Sequence, residues 1–211
     1  MKYPIVDVIA SAVIAYQKNE NKIIKYGHGK NANVDLIIQE LKNPSFSEEQ
    51  RQEAETIIQF IQHQAVLQTL LGKKQNAFLI SVSEYIKEPT VPSKAIGLLA
   101  WAPQVYERLQ KSEEVREQWS LHSVHSKHLG RDTGEKISCT FNLLEKRFVQ
   151  KFECWSVVGV TDEGDIVSYF CNNENKIVQK GTIKGRIKHH TIDAYRGDAK
   201  ITVLNYVKEL V

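Results

Sequence analysis

The stretch 180–208 constrains this chain most, because it holds two runs that alternate with a period of two on either side of a turn. In the first run Lys180, Thr182, Lys184, Arg186 and Lys188 fall on alternate positions, with Gly181, Ile183, Gly185 and Ile187 between them. Successive side chains of a strand point to opposite faces. One face of this strand is therefore a cationic strip, and the other is apolar with two glycines. The second run sets Ile201, Val203 and Val207 on one face and Lys200, Thr202, Tyr206 and Lys208 on the other. Between the runs, Tyr195-Arg196-Gly197-Asp198 supplies the reversal. Lysine and arginine neutralise phosphates, and tyrosine or tryptophan offers a stacking face, so this pattern suits a sugar-phosphate backbone with unstacked bases. The plainer reading is a solvated basic face that discourages edge-to-edge strand pairing.

Period-two patterning dominates everything beyond about Ser120. It predicts strands at 136–150, 152–161, 166–171, 178–189 and 199–209, with Asp162-Glu163-Gly164-Asp165 as the hairpin between the second and third. Five strands in so short a segment suit a small barrel of the OB type, with a plain loop in place of a helix between strands three and four. The rival arrangement is an open antiparallel sheet packed on helices. The first half instead repeats at helical spacing. Ile5, Val8, Ile9, Ala12, Val13 and Tyr16 predict an amphipathic helix, and a second helix begins near Asn33 as a candidate cap. Ser47 with Gln50 forms a capping box for a long helix that Gly72 would end. Further helices are expected at 76–87, through Leu109 after Pro103, and at 112–119. The fold class is thus α+β: a helical domain at 1–120, a polar His-rich linker at 121–135, and a five-stranded antiparallel OB-like barrel at 136–211.

Charge and cysteine usage bound the function. The net charge is only +3, but residues 1–120 carry 14 basic and 14 acidic side chains, so the excess lies in the C-terminal part. Three cysteines without a C-x-x-C pair argue for reduced thiols and a cytoplasmic setting. Pro4 and Asp7 interrupt the apolar N-terminal run, which is read as a helix and not a signal peptide. No run is apolar enough to span a bilayer.

Residues 127–209 resemble the OB-fold modules encoded in many bacteriophage replication and DNA-metabolism genes. The resemblance rests on Gly134-Glu135-Lys136, the Asp162–Asp165 hairpin, Gly181-Thr182-Ile183-Lys184-Gly185-Arg186-Ile187-Lys188-His189, Tyr195-Arg196-Gly197 and Thr202-Val203-Leu204. It implies binding of single-stranded nucleic acid, or a docking role in a replication or transcription assembly, and it does not imply catalysis.

The expected interface joins Lys184, Arg186, Lys188, Arg196 and Lys200 as phosphate contacts to Trp155, Tyr195 and Tyr206 as stacking rings. Of the neighbours Tyr169 and Phe170, only one can face outward. The alternative is an interaction subunit that turns its basic face to an acidic protein. Chemistry has little support, and neither a catalytic residue nor a cofactor is assigned. His122, His125 and His128 have a spacing that could gather imidazoles on a helix, yet a solvated linker explains them as well, so no metal site is assigned. Cys139, Cys154 and Cys171 sit in strand runs, where thiols are mostly buried small hydrophobes.

Overall fold

The computed structural model describes residues 1–26, 31–70 and 77–210. The cap expected at Gly72 and the helix start at Asn76 lie outside them. The chain divides into two compact units, Met1–Gln110 and Lys111–Val211.

The first unit is built around α1 (Ile5–Lys18). Its residues from Val8 to Tyr16 are buried without a break, so the helix lies inside the unit and is not amphipathic as expected. The residues between the expected stripe positions are Ala10, Ser11, Ile14 and Ala15, small or apolar enough to be covered as well. Helices α2 (Asn33–Lys42), α3 (Glu48–Leu70) and α5 (Ile96–Leu99) pack on α1, and α4 (Ala77–Ile86) packs on α3. The capping box forms in both halves: Ser47 N donates to Gln50 Oε1 at 2.8 Å, and Gln50 N donates to Ser47 Oγ at 3.3 Å. Asn33 does not cap α2. Its Oδ1 accepts from the Ile24 amide and from Asn19 Nδ2, tying the preceding loop instead. A two-stranded ribbon, β1 (Lys2–Pro4) with β2 (Thr90–Pro92), joins the start of the unit to the turn before α5. Helix α6 (Ala102–Ser123) runs through both late helices expected from the sequence. Pro103 sits in its first turn, where a missing N–H costs nothing. Among the described residues no helix is long and apolar enough to cross a membrane.

The second unit is a closed barrel of five strands, β3 (Lys136–Val149), β4 (Cys154–Val160), β5 (Ile166–Cys171), β6 (Lys180–Asp193) and β7 (Ala199–Leu210). Around the ring the order is β3-β4-β5-β7-β6, the Greek-key order of an OB-like barrel. The expectation of a wholly antiparallel barrel is corrected in one place: β5 and β7 pair in parallel. Parity requires this, since an odd number of strands cannot alternate direction all the way round a closed ring. Between β5 and β6 a short loop with a single 3-10 turn, Glu174–Lys176, stands where a helix would otherwise fit.

Phe141, Val157, Val167, Tyr169, Ile183, Ile187 and Leu204 fill the barrel. A second apolar cluster lies on its outer face, where Val115 and Trp119 of α6 cover Val158, Ile166, Ile201 and Val203. Strand β7 is therefore buried on both faces from Ile201 to Leu204. Gly159 is required by close approach: a Cβ there would overlap the Phe141 ring and stand 2.7 Å from the Asn142 carbonyl oxygen. We expect Gly159→Ala to destabilise by about 1–3 kcal/mol through overpacking, read as a fall in the urea midpoint. Adding Phe141→Leu should return part of that loss.

Candidate nucleic-acid interface

Strand β6 alternates as its sequence demands. Lys184, Arg186 and Lys188 are exposed, while Ile183, Gly185 and Ile187 are buried. Pairing with its two neighbours adds further cations to this face. Lys136 of β3 lies directly opposite Arg186, and Lys208 of β7 lies directly opposite Lys184. Lys136, Ile137, Lys184, Gly185, Arg186, Tyr206 and Lys208 together line an open cleft of about 370 Å³. Like charges directly across a ladder are destabilising. Among the described residues none of these four cations has an ion-pair partner. The neighbouring Glu135 does not serve. Its carboxylate accepts the amides of Arg131 and Asp132 at 2.7 and 3.2 Å, and these bonds hold its pKa below the ordinary value.

Tyr206 reaches the cleft through a backbone irregularity. Strict alternation would set it on the face of Thr202 and Leu204, which are buried. Instead the β6–β7 register shifts by one residue between Arg186–Asn205 and Lys184–Lys208. This bulge leaves both Asn205 and Tyr206 exposed and returns Val207 to the barrel interior. Tyr206 adopts a left-handed φ of 55° and is 81% exposed. Gly185 makes room for the bulge, since a Cβ there would stand 3.1 Å from the Asn205 carbonyl oxygen. Val207 therefore does not share a face with Ile201 and Val203, which pack outside the barrel against α6.

The other expected site residues are dispersed. Lys188 is exposed beside a second register shift, between Ile187 and His189. Lys200 is exposed near the far end of the β6–β7 hairpin. Tyr195, fully exposed at the hairpin tip, lies nine residues beyond Arg186, roughly 25 Å along the strand direction. Arg196 is committed to structure. Its Nη2 donates to Glu145 Oε2 at 2.9 Å, its guanidinium stacks 4.0 Å from the Trp119 ring centre, and Trp119 Nε1 donates to the same carboxylate oxygen. Trp155 is half-buried, edge-on to Phe148, with Lys146 Nζ over its ring at 5.5 Å. It stands on β4, which does not contribute to the cleft. Of the neighbouring pair, Tyr169 points inward and Phe170 is 54% exposed.

Lys136 and Lys208 complete the cleft and were not among the expected phosphate ligands. Lys208 has the parity of Tyr206 and reaches the outer face through the same bulge, which alternation alone does not reveal. Nothing local marks Lys136, whose place depends on β3 pairing with β6.

The histidines hold the chain that leads into the barrel. His128 stacks on His190 with ring centres 4.5 Å apart and donates from Nε2 to the Thr191 carbonyl at 3.1 Å. The Thr202 hydroxyl accepts the Leu129 amide, and Ser126 Oγ accepts the Lys200 amide. His122 lies in the last turn of α6 and His125 follows the helix. Among the described residues no group of three metal-ligating side chains converges. At the hairpin, Asp162 accepts from Asn142 Nδ2 and Asp165 from the Lys127 amide, as turn carboxylates do. All three thiols are free, and burial followed by the charge of Glu163 pushes Cys139 up to about 11.

No protein-family model matches the chain, no curated protein matches it, and no solved structure matches it.

Two outcomes are expected of this geometry. Tyr206→Gly should be at least as stable as the parent, gaining roughly 0.5–1 kcal/mol in chemical denaturation, because glycine adopts the left-handed conformation without the Cβ penalty. Cys139 should resist alkylation by iodoacetamide at pH 8 in the native protein, where about one thiol in 1,000 is ionised, and react once urea unfolds the chain.

Proposed function

We propose that this protein binds single-stranded nucleic acid along the β3–β6–β7 face of its barrel and performs no chemistry on it. The observation that supports the reading is the cleft itself: Lys136, Lys184, Arg186 and Lys208, without carboxylate partners among the described residues, around one exposed tyrosine. Cations at this density release counterions when they meet phosphates, and an exposed ring stacks on a base for about 1–3 kcal/mol. The opposite outer face of the barrel is less suited, because α6 covers Val158, Ile166, Ile201 and Val203. Lys188 would extend the phosphate track toward the hairpin tip, with Tyr195 as a second ring, while Lys200 alternates with the outward-facing Ile201 and Val203 and so lies on the other face of β7. Arg196 has no part in this track, and Trp155 lies off it.

The resemblance to phage-encoded modules supports an accessory role in phage replication or DNA metabolism, in the cytoplasm of a host cell. The helical unit would then dock to replication or transcription proteins. A second reading, an interaction subunit that binds protein through the barrel, draws on a different observation. Phe148, Phe152 and Phe170, on β3, the turn after it and β5, are each exposed, at 48%, 64% and 54%, large apolar side chains that a protein partner could cover. If an oligonucleotide displaces the protein partner, the two ligands share the basic face; if both bind together, they do not.

A titration with single-stranded and duplex oligonucleotides at two salt concentrations tests the main reading. We expect tighter binding of the single strand. Lys184→Gln with Arg186→Gln should weaken it about tenfold and flatten the salt slope by roughly 0.7 for each phosphate no longer neutralised. Affinity indifferent to both substitutions would exclude the reading.

A further inference from the structure

The cleft holds more positive charge than a passing strand would use. A single strand presents one charge for each base. Here four cations line a cleft with one exposed ring, Tyr206. The Lys136–Arg186 row and the Lys184–Lys208 row stand two residues apart on β6, about 6.6 Å, and neighbouring strands are about 4.8 Å apart. At about 3.4 Å per nucleotide, a stacked strand that runs along β6 toward Lys188 meets about two phosphodiesters over that span. Two of the four charges would then remain unmatched.

No described residue matches them either. Neither aspartate nor glutamate is among the residues that line the cleft. The Glu135 carboxylate is held by two backbone amides, and the Glu209 carboxylate lies over Gly181, 3.2 Å from where a Cβ would stand. The strands pair cation against cation twice, a modestly destabilising arrangement that a bound anion would relieve. A terminal phosphate carries about −1.5 to −2, up to twice the charge of a phosphodiester, and a polyphosphate carries more over the same short span.

We infer that the cleft recognises a terminal phosphate group of a nucleotide, with the phosphates among Lys136, Lys184, Arg186 and Lys208 and the base on Tyr206. The chemistry is shared by two sources, the 5′-phosphorylated end of a strand and a free nucleoside polyphosphate. The first source rests on the strand-binding reading above, and the second does not.

The test uses the full chain and one oligodeoxynucleotide in three forms: with a 5′-hydroxyl, with a 5′-triphosphate, and ligated into a circle. A free deoxynucleoside triphosphate is titrated separately and as a competitor. The expected result is that the 5′-triphosphate form binds about tenfold tighter than the 5′-hydroxyl form or the circle. Lys136→Gln with Lys208→Gln, both at exposed positions, should bring that ratio close to one. Displacement by the free triphosphate at a comparable concentration assigns the free nucleotide as a ligand, and failure to displace assigns the strand end. Equal binding of all three oligonucleotide forms, with no binding of the free triphosphate, overturns the inference and leaves strand binding intact. Binding of the free triphosphate with no affinity for any oligonucleotide supports the inference and removes the strand-binding reading. An end preference unchanged in the double variant also overturns it, because the selectivity would then reside elsewhere.

Discussion

The ladder between β3 and β6 is the pairing that makes the barrel a barrel. Lys136–Asn142 pairs with Lys180–Arg186 and closes the ring of five strands, so that no open sheet edge is left there. Closure encloses Phe141, Ile183 and Ile187 in one interior and sets the phase of both strands. It also brings Lys136, near the start of the barrel, beside Arg186, fifty residues later. The site is therefore a consequence of ring closure and not of any continuous segment.

One irregularity in the β6–β7 ladder, the bulge at Asn205 and Tyr206, then shapes that site. A strand of perfect alternation would carry Tyr206 into the interior behind Leu204. The extra residue at the bulge places a bulky side chain at a left-handed φ, a conformation that costs about 1–2 kcal/mol. What results is an aromatic ring in the same cleft as four cations. Strain of this kind on a non-glycine residue persists because the surrounding ladder imposes it. Gly185 is the complementary choice across the ladder, where any side chain would press on the bulged backbone.

Elsewhere on the barrel, polar groups serve assembly. Arg196, Glu145 and Trp119 form one partly buried group that fixes the end of α6 against the outer face. A charge-assisted bond between half-buried groups is stronger than an exposed ion pair, and the stacked indole restricts the guanidinium further. The His128–His190 stack and the Ser126 and Thr202 hydroxyls fasten the segment between α6 and β3 to β6 and β7. Residues that look like a binding inventory in one dimension thus divide between a cleft and a set of internal fasteners.

Local pattern was enough for much of this. The hydrophobic period changes from helical to strand-like near residue 120, and it is set by which side chains must leave water. That change marked the helical half, the five strands and the exposed cations of β6. The capping box of α3 was legible for the same reason, since both of its hydrogen bonds lie within four residues. Full burial of α1 was not, because burial on a second side depends on which helices arrive there. Nor was the parallel β5–β7 pair, which follows from the closed count of strands and not from either strand alone. The fate of Arg196 turned on Trp119 and Glu145, far away in sequence, and that of Tyr206 on one extra residue in a ladder. Which faces are charged and which are apolar could be read from the order of residues, because alternation belongs to each strand separately. Which charges meet could be read only from the folded chain, because cross-strand register and bulges are settled by packing between segments that no local period connects.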